Sequence, residues 1–233
     1  MDNGVFRTHF RFEKNDAGQL ERALLLPEVN CRAQRVSVPA LEALCLTLRP
    51  LAYPNRLCDL ERSFGRHYSV TSSVTNKVLA HIDDSFTHLL HDFNSHVWLD
   101  LTALEAFSQA VHSKIARLSN CWLFIDGTAR AMCHPSKDRR PFSSVRKHFH
   151  ALKYQAIMCP NGIICEIDGS FPGSHHDADF RKNPKLYKNN LERMYRVSTI
   201  LPNCHTSPYG SQVLQYLEGD PPCLEGYLTT RTL

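Results

Sequence analysis

No stretch of this chain reaches the ~18 consecutive apolar residues that a membrane-spanning helix needs, so a membrane role is not expected. The opening MDNGVFRTHFRFEK lacks the apolar run of a secretory leader, so none is expected. No two cysteines form a CxxC pair. The nine (Cys31, Cys45, Cys58, Cys121, Cys133, Cys159, Cys165, Cys204, Cys223) are odd in number and scattered. With no leader they read as reduced intracellular thiols rather than a disulfide framework. A zinc site would have to be built around Cys133 and His134, without the paired spacing such sites use. There is no internal repeat and no low-complexity tract. What remains is an ordinary globular composition, 42% hydrophobic and 21% charged over 233 residues, enough for one large domain or two small ones.

Acidic residues are scarce in one place. Residues 1–98 balance 11 Lys+Arg against 11 Asp+Glu, but residues 113–158 hold 9 Lys+Arg against Asp126 and Asp138 alone. Arg130, Arg139, Arg140, Arg146, Lys147 and Lys153 lie there, with His134, His148 and His150, and His112 stands just before them. A solvated face would look like this. So would a positive field that meets phosphates.

The first half reads as helical. QLERALLLPE and PALEALCLTLRPL space their apolar residues by three and four, as amphipathic helices do, with Pro27, Pro39, Pro50 and Pro54 as punctuation. Arg56–Phe64 reads as a helix stopped by Gly65. A second helix over about Val70–Leu90, capped by Ser69 or Thr71, puts Val74, Val78 and Ile82 on one face. Ser72, Ser73, Asn76 and Lys77 fall elsewhere, near its start. Helix, short glycine turn, and helix with small polar residues in its first turns is the helix-turn-helix layout of segment 56–90. Asn76 and Lys77 would then meet DNA. An ordinary helical hairpin fits the same pattern. SHVWLDLTALEAFSQAVHSKIARL predicts a further helix.

After Asn120 the pattern changes to strands. CWLFIDGT predicts a buried strand closed by Gly127. HALKYQAIMC and IICEIDGSF flank Pro160–Gly162, and Asn-Gly between two strand-like runs is a strong hairpin signal. LYKNNLERMYRVS predicts a helix, and QVLQYLEGDPP another strand. Three acids then share a setting. Asp126 and Asp220 would each end an apolar strand, and Asp177 follows a glycine turn just past another. A buried carboxylate costs several kcal/mol unless compensated, and clustered carboxylates repel unless cations lie between them. Two Mg²⁺ or Mn²⁺ ions would supply that compensation and clamp a phosphodiester. His175 and His176 stand close enough in sequence to support such a site.

The ordered set FIDGT, KHFHALKYQAIMCPNGII, PGSHHDA and LEGDPPCLEGYL resembles the DDE-type endonucleases of PIF/Harbinger transposases and the nucleases derived from them. The resemblance extends over roughly 1–233, including FRF and LAYPNRLCDLERSFGRHYSVTSSVTNKVLAHI. It implies an α/β, RNase H-like mixed sheet with flanking helices over 119–233, preceded by an all-helical region over 1–118. It implies divalent-metal cleavage of DNA, residence in the nucleus with the cytoplasm as a second compartment, and a Myb-like DNA-binding partner protein. By position, Asp126, Asp177 and Asp220 match the metal acids, while Lys147, His150 and Gln155 match a supporting segment. Three departures stand out. Arg146 and His148 flank Lys147 where the family has His before the Lys and a basic residue after it. GDPPC replaces a small residue and an aromatic. Glu225 is only five residues past Asp220, where the family places its last metal glutamate on a helix some tens of residues on. The reading is therefore of a nuclease incomplete at its C-terminus, without a closing helix and with one sheet face left open. The alternative is a DNA-binding or partner-binding remnant without catalysis.

If segment 129–153 lies on phosphates, duplex affinity will fall with salt at a log–log slope of about −0.9 per contact. A flat salt titration would remove that assignment.

Overall fold

The computed structural model describes residues 2–31, 36–114, 119–131, 143–144, 149–173 and 190–230. The first half is a stack of helices. α1 (Asn3–Phe10) starts at Asp2, whose carboxylate accepts from the Gly4 N–H. α2 (Lys14–Ala23) follows. A two-stranded antiparallel ribbon comes next, β1 (Val29–Cys31) with β2 (Val36–Val38), so the region predicted to be all helical contains a hairpin. α3 (Ala40–Ala52) is largely buried and carries Pro50 inside its last turn, where proline was expected to end it.

α4 (Leu57–Phe64) ends at Gly65, whose φ of 65° is the left-handed cap expected of glycine there. α5 (Tyr68–Phe86) buries Val74, Val78 and Ile82 as its spacing predicts, and a short 3₁₀ turn (Thr87–Leu90) extends it. Its cap is His67 rather than Ser69 or Thr71, because the His67 ring accepts from the Ser69 N–H at 3.3 Å. The turn between α4 and α5 is tied to α3 by Arg66, which donates twice to Glu42 at 2.8 and 2.9 Å. α6 (Leu101–Lys114) completes this half.

The sheet is antiparallel throughout the described residues. β3 (Phe124–Ala131) and β6 (Ile164–Pro172) lie on either side of β5 (Phe149–Met158), and the two-residue β4 (Ser143–Ser144) pairs with the start of β5. The predicted Asn161–Gly162 hairpin is present. Gly162 has φ 81°, and the buried Asn161 side chain accepts from the Ile163 N–H. α7 (Asn190–Tyr209) then crosses the sheet. The segment predicted as a fourth strand is instead α8 (Gln212–Leu217). Ser211 caps it by accepting from the Leu214 N–H at 3.1 Å. Val213, Leu214 and Leu217 repeat at helical rather than alternating spacing. The sheet therefore gains no parallel member among the described residues. α9 (Leu224–Leu228) corrects a further expectation, since the ending was read as non-helical; its Tyr227 is fully buried.

One apolar cluster joins both halves, from Phe6, Phe10 and Phe12 through Leu44, Leu46 and Ile82 to Ile163, Ile200 and Tyr227. Polar side chains hold α7 in place. Asn203 donates to the Ile164 carbonyl at 2.8 Å and to the Tyr227 hydroxyl at 2.9 Å, and it accepts from the Ile164 N–H at 3.0 Å. Asp83 on α5 receives two bonds of 2.6 Å from Arg196 on α7, with Arg193 3.5 Å away.

Burial alone would raise the Asp83 pKa. The hydrogen bonds and charge of Arg196, helped by Thr87 and Arg193, outweigh burial and hold it below the ordinary value. The pair therefore stabilises the fold above the ordinary aspartate pKa, and that stability is lost as pH falls through the lower folded value. Asp83→Ala is expected to cost about 3 kcal/mol, because it removes both short hydrogen bonds of the half-buried Arg196 and leaves it only Glu192, 3.7 Å away. Denaturant titration at neutral pH checks this, and the deficit should shrink in acid.

Candidate active site

Asp126 does not end a buried strand. It is the third residue of β3, exposed to solvent, and the strand continues for five residues beyond it. Gly127, expected to close the strand, lies within it opposite Gln155. Water therefore solvates the Asp126 carboxylate, and the burial cost inferred from FIDGT does not arise.

Register assigns the neighbours. Asp126, Thr128 and Arg130 stand opposite Ala156, Tyr154 and Leu152 of β5, and directly paired residues share a face. α7 packs on that face. The Tyr154 and Tyr195 rings stack with centroids 3.8 Å apart, and the Arg130 guanidinium lies 5.4 Å over Tyr195. Burial, then the charge of Glu192, pushes the Tyr154 hydroxyl up to about 12. Glu192 itself is buried, accepts from the Ser170 hydroxyl at 2.5 Å, and lies 3.7 Å from Arg196. Asp83, Tyr154, Glu192 and Arg196 were not singled out from the sequence. The one local signal was the four-residue spacing of Glu192 and Arg196 on a helix.

The opposite face carries other candidates. Lys153 and Gln155 pair with Ala129 and Gly127 on one side and with Phe171 and Asp168 on the other. They project from the sheet on the side away from Asp126. His150 shares the parity of Asp126's face but lies six residues from Ala156 along β5, about 20 Å at ~3.3 Å per residue.

Asp220 sits in the exposed segment after α8. Gly219 before it lies against the hairpin tip, where a Cβ would stand in ordinary contact, 3.4 Å from Asn161 backbone atoms. The tip begins four residues beyond Ala156, roughly 13 Å along the strand, so Asp126 and Asp220 belong to the same end of the sheet but not to one strand edge. Among the described residues no three His, Cys, Asp or Glu side chains gather closely enough to hold a metal ion. Asp177, His175, His176, Arg139, Arg140, Arg146 and Lys147 lie outside the described residues, as do Cys133 and His134. Asn76 and Lys77 are exposed on α5, two helical turns from its start. Glu225 is exposed in the first turn of α9. Cys45, Cys58, Cys121, Cys159, Cys165, Cys204 and Cys223 are free thiols, with the buried Cys159 and Cys165 sulfurs 3.2 Å apart. No described helix is long and apolar enough to cross a membrane.

Residues 125–204 match the family model described as DDE superfamily endonuclease. The match begins one residue before Asp126, takes in the hairpin and Asp177, and ends on α7. It includes neither Asp220 nor the α4–α5 pair. No curated protein and no solved structure matches the chain.

Because Asp126 and Asp220 are exposed, Asp126→Asn and Asp220→Asn are expected to leave unfolding free energy within about 0.5 kcal/mol of wild type. Denaturant titration checks this. A larger loss in either variant would mean that its carboxylate helps to hold the fold.

Proposed function

We propose that the chain is a metal-dependent DNA endonuclease of PIF/Harbinger transposase origin, with its RNase H-like nuclease part over 119–233 and its helical part over 1–118. The single observation that carries this reading is the family match, which opens at the strand bearing Asp126 and continues through an antiparallel three-strand unit and a covering helix. Asp126, Asp177 and Asp220 would hold the divalent ions. Their hard carboxylate oxygens suit Mg²⁺ or Mn²⁺, which would activate a water or 3′-hydroxyl and stabilise the leaving oxygen. In this reading Arg139, Arg140, Arg146 and Lys147 contact phosphates, and Lys153, on the other face of the sheet, does not share that path. His176 supports the site, while His150 and Gln155 act at a distance by holding β5 and the sheet. DNA is the substrate, the nucleus is the compartment, and a Myb-like protein helps find the target.

A second reading is favoured by one observation. Gln212–Leu217 is a helix, so Asp220 does not stand at the end of a sheet strand. In this reading the chain binds DNA or a partner without cutting, and Asn76 and Lys77 of α5 carry the contact.

Calorimetry with Mg²⁺ or Mn²⁺, followed by plasmid cleavage, separates the two. The nuclease reading expects metal binding that disappears in the Asp126→Asn, Asp177→Asn variant, with cleavage lost in parallel. The second reading expects no metal binding, with duplex affinity lowered by Asn76→Ala and Lys77→Ala and untouched by Asp126→Asn.

A further inference from the structure

α7 serves two sides. Tyr195 and Asn203 meet the sheet, while Ser198, Leu201, Pro202 and His205 recur at helical spacing on another stripe and line a cavity of about 410 Å³. Small-ligand sites occupy roughly 300–1,000 Å³. The end of α1, the last turns of α3 and the cap of α8 form the other walls, and the residues that line it fall within the described stretches 2–31, 36–114 and 190–230. The interior is apolar, with Phe10, Phe12, Leu48 and Leu201 buried around it.

The charge around this cavity has one sign. Arg11 and His205 are the ionisable residues among those lining it, and none of them is acidic. Glu13, the nearest acid along the chain, is engaged by Arg7 at 3.5 Å. Arg11 is exposed, and it stands against local preference. It is the C-cap of α1 with φ 68°, a conformation that glycine adopts freely and arginine does not. Tertiary contacts hold it there. A His205 ring nitrogen donates to the Arg11 carbonyl, and that ring packs edge-on against Phe12, 5.3 Å between centroids. A strained residue fixed by its surroundings points to a use for its side chain. The C-terminal ends of α1 and α3 bring partial negative charge, but it fades within a turn. A guanidinium bonded directly to a carboxylate outweighs it. We propose that this cavity binds a small amphiphile with an apolar body and one carboxylate, the body lying against Phe10, Phe12 and Leu201 and the carboxylate on Arg11 at the mouth.

Calorimetry with decanoate below its micellar range, on the full chain without DNA or divalent metal, tests this independently of the nuclease reading. Saturable binding is expected. Arg11→Gly should weaken it about tenfold or more. The same variant should leave the unfolding midpoint unchanged or higher, because glycine relieves the left-handed cap. Decanol, of the same length without the charge, should bind the unmodified chain more weakly than decanoate and lose nothing further in Arg11→Gly. A second readout needs no variant. Burial first, then the charges of Arg7 and Arg11, holds the His205 pKa below the ordinary value. A carboxylate bound beside the ring should raise it in an NMR titration, and decanol should not. No saturable decanoate binding to the folded chain would overturn the proposal. So would equal affinity for decanoate and decanol, or full decanoate affinity in Arg11→Gly.

Discussion

The ion pair between Asp83 and Arg196 is the constraint on which the rest of the arrangement depends. Its carboxylate comes from α5 in the helical half, and its guanidinium from the helix that covers the sheet. Two 2.6 Å bonds in a poorly hydrated setting fix both the distance and the rotation of α7 relative to α5. Such a pair adds little net stability over an apolar substitute. Breaking one side of it is costly, and that asymmetry makes it a device for specifying geometry. Glu192, one turn earlier on α7, reaches Ser170 at the end of β6, so the same helix is anchored to helices on one side and to the sheet on the other.

The anchoring of α7 shapes the candidate site. Tyr195 lies against Tyr154, and Arg130 lies over Tyr195, so the face bearing Asp126 is walled by a helix on β5 and left open along β3. A solvent-facing carboxylate on a sheet beside a sealed aromatic wall is a reasonable start for a metal site. Among the described residues β5 alone pairs with β3. Lys153, by contrast, leaves the sheet on the other face. A phosphate backbone passing Asp126 would not meet it without crossing the strand edge, so Arg130 and Lys153 lie on opposite faces of the sheet.

The sequence by itself determined the elements whose causes are local. Gly65 stops α4 because few other residues accept φ near 65°. Asn161–Gly162 turns the hairpin, and three- and four-residue spacing places Val74, Val78 and Ile82 inside. The ordered motifs pointed to the endonuclease family that residues 125–204 match. Tertiary structure decided the rest. QVLQYL carries apolar residues that serve either a strand or a helix, and the Ser211 cap marks the start of the helix it forms. Asp126 looked buried because three apolar residues precede it, yet the outer position of β3 leaves it in water. Asp83 and Arg196 are 113 residues apart. No local pattern ties an aspartate on one helix to an arginine on another, and only the packing of α5 against α7 brings their charges together.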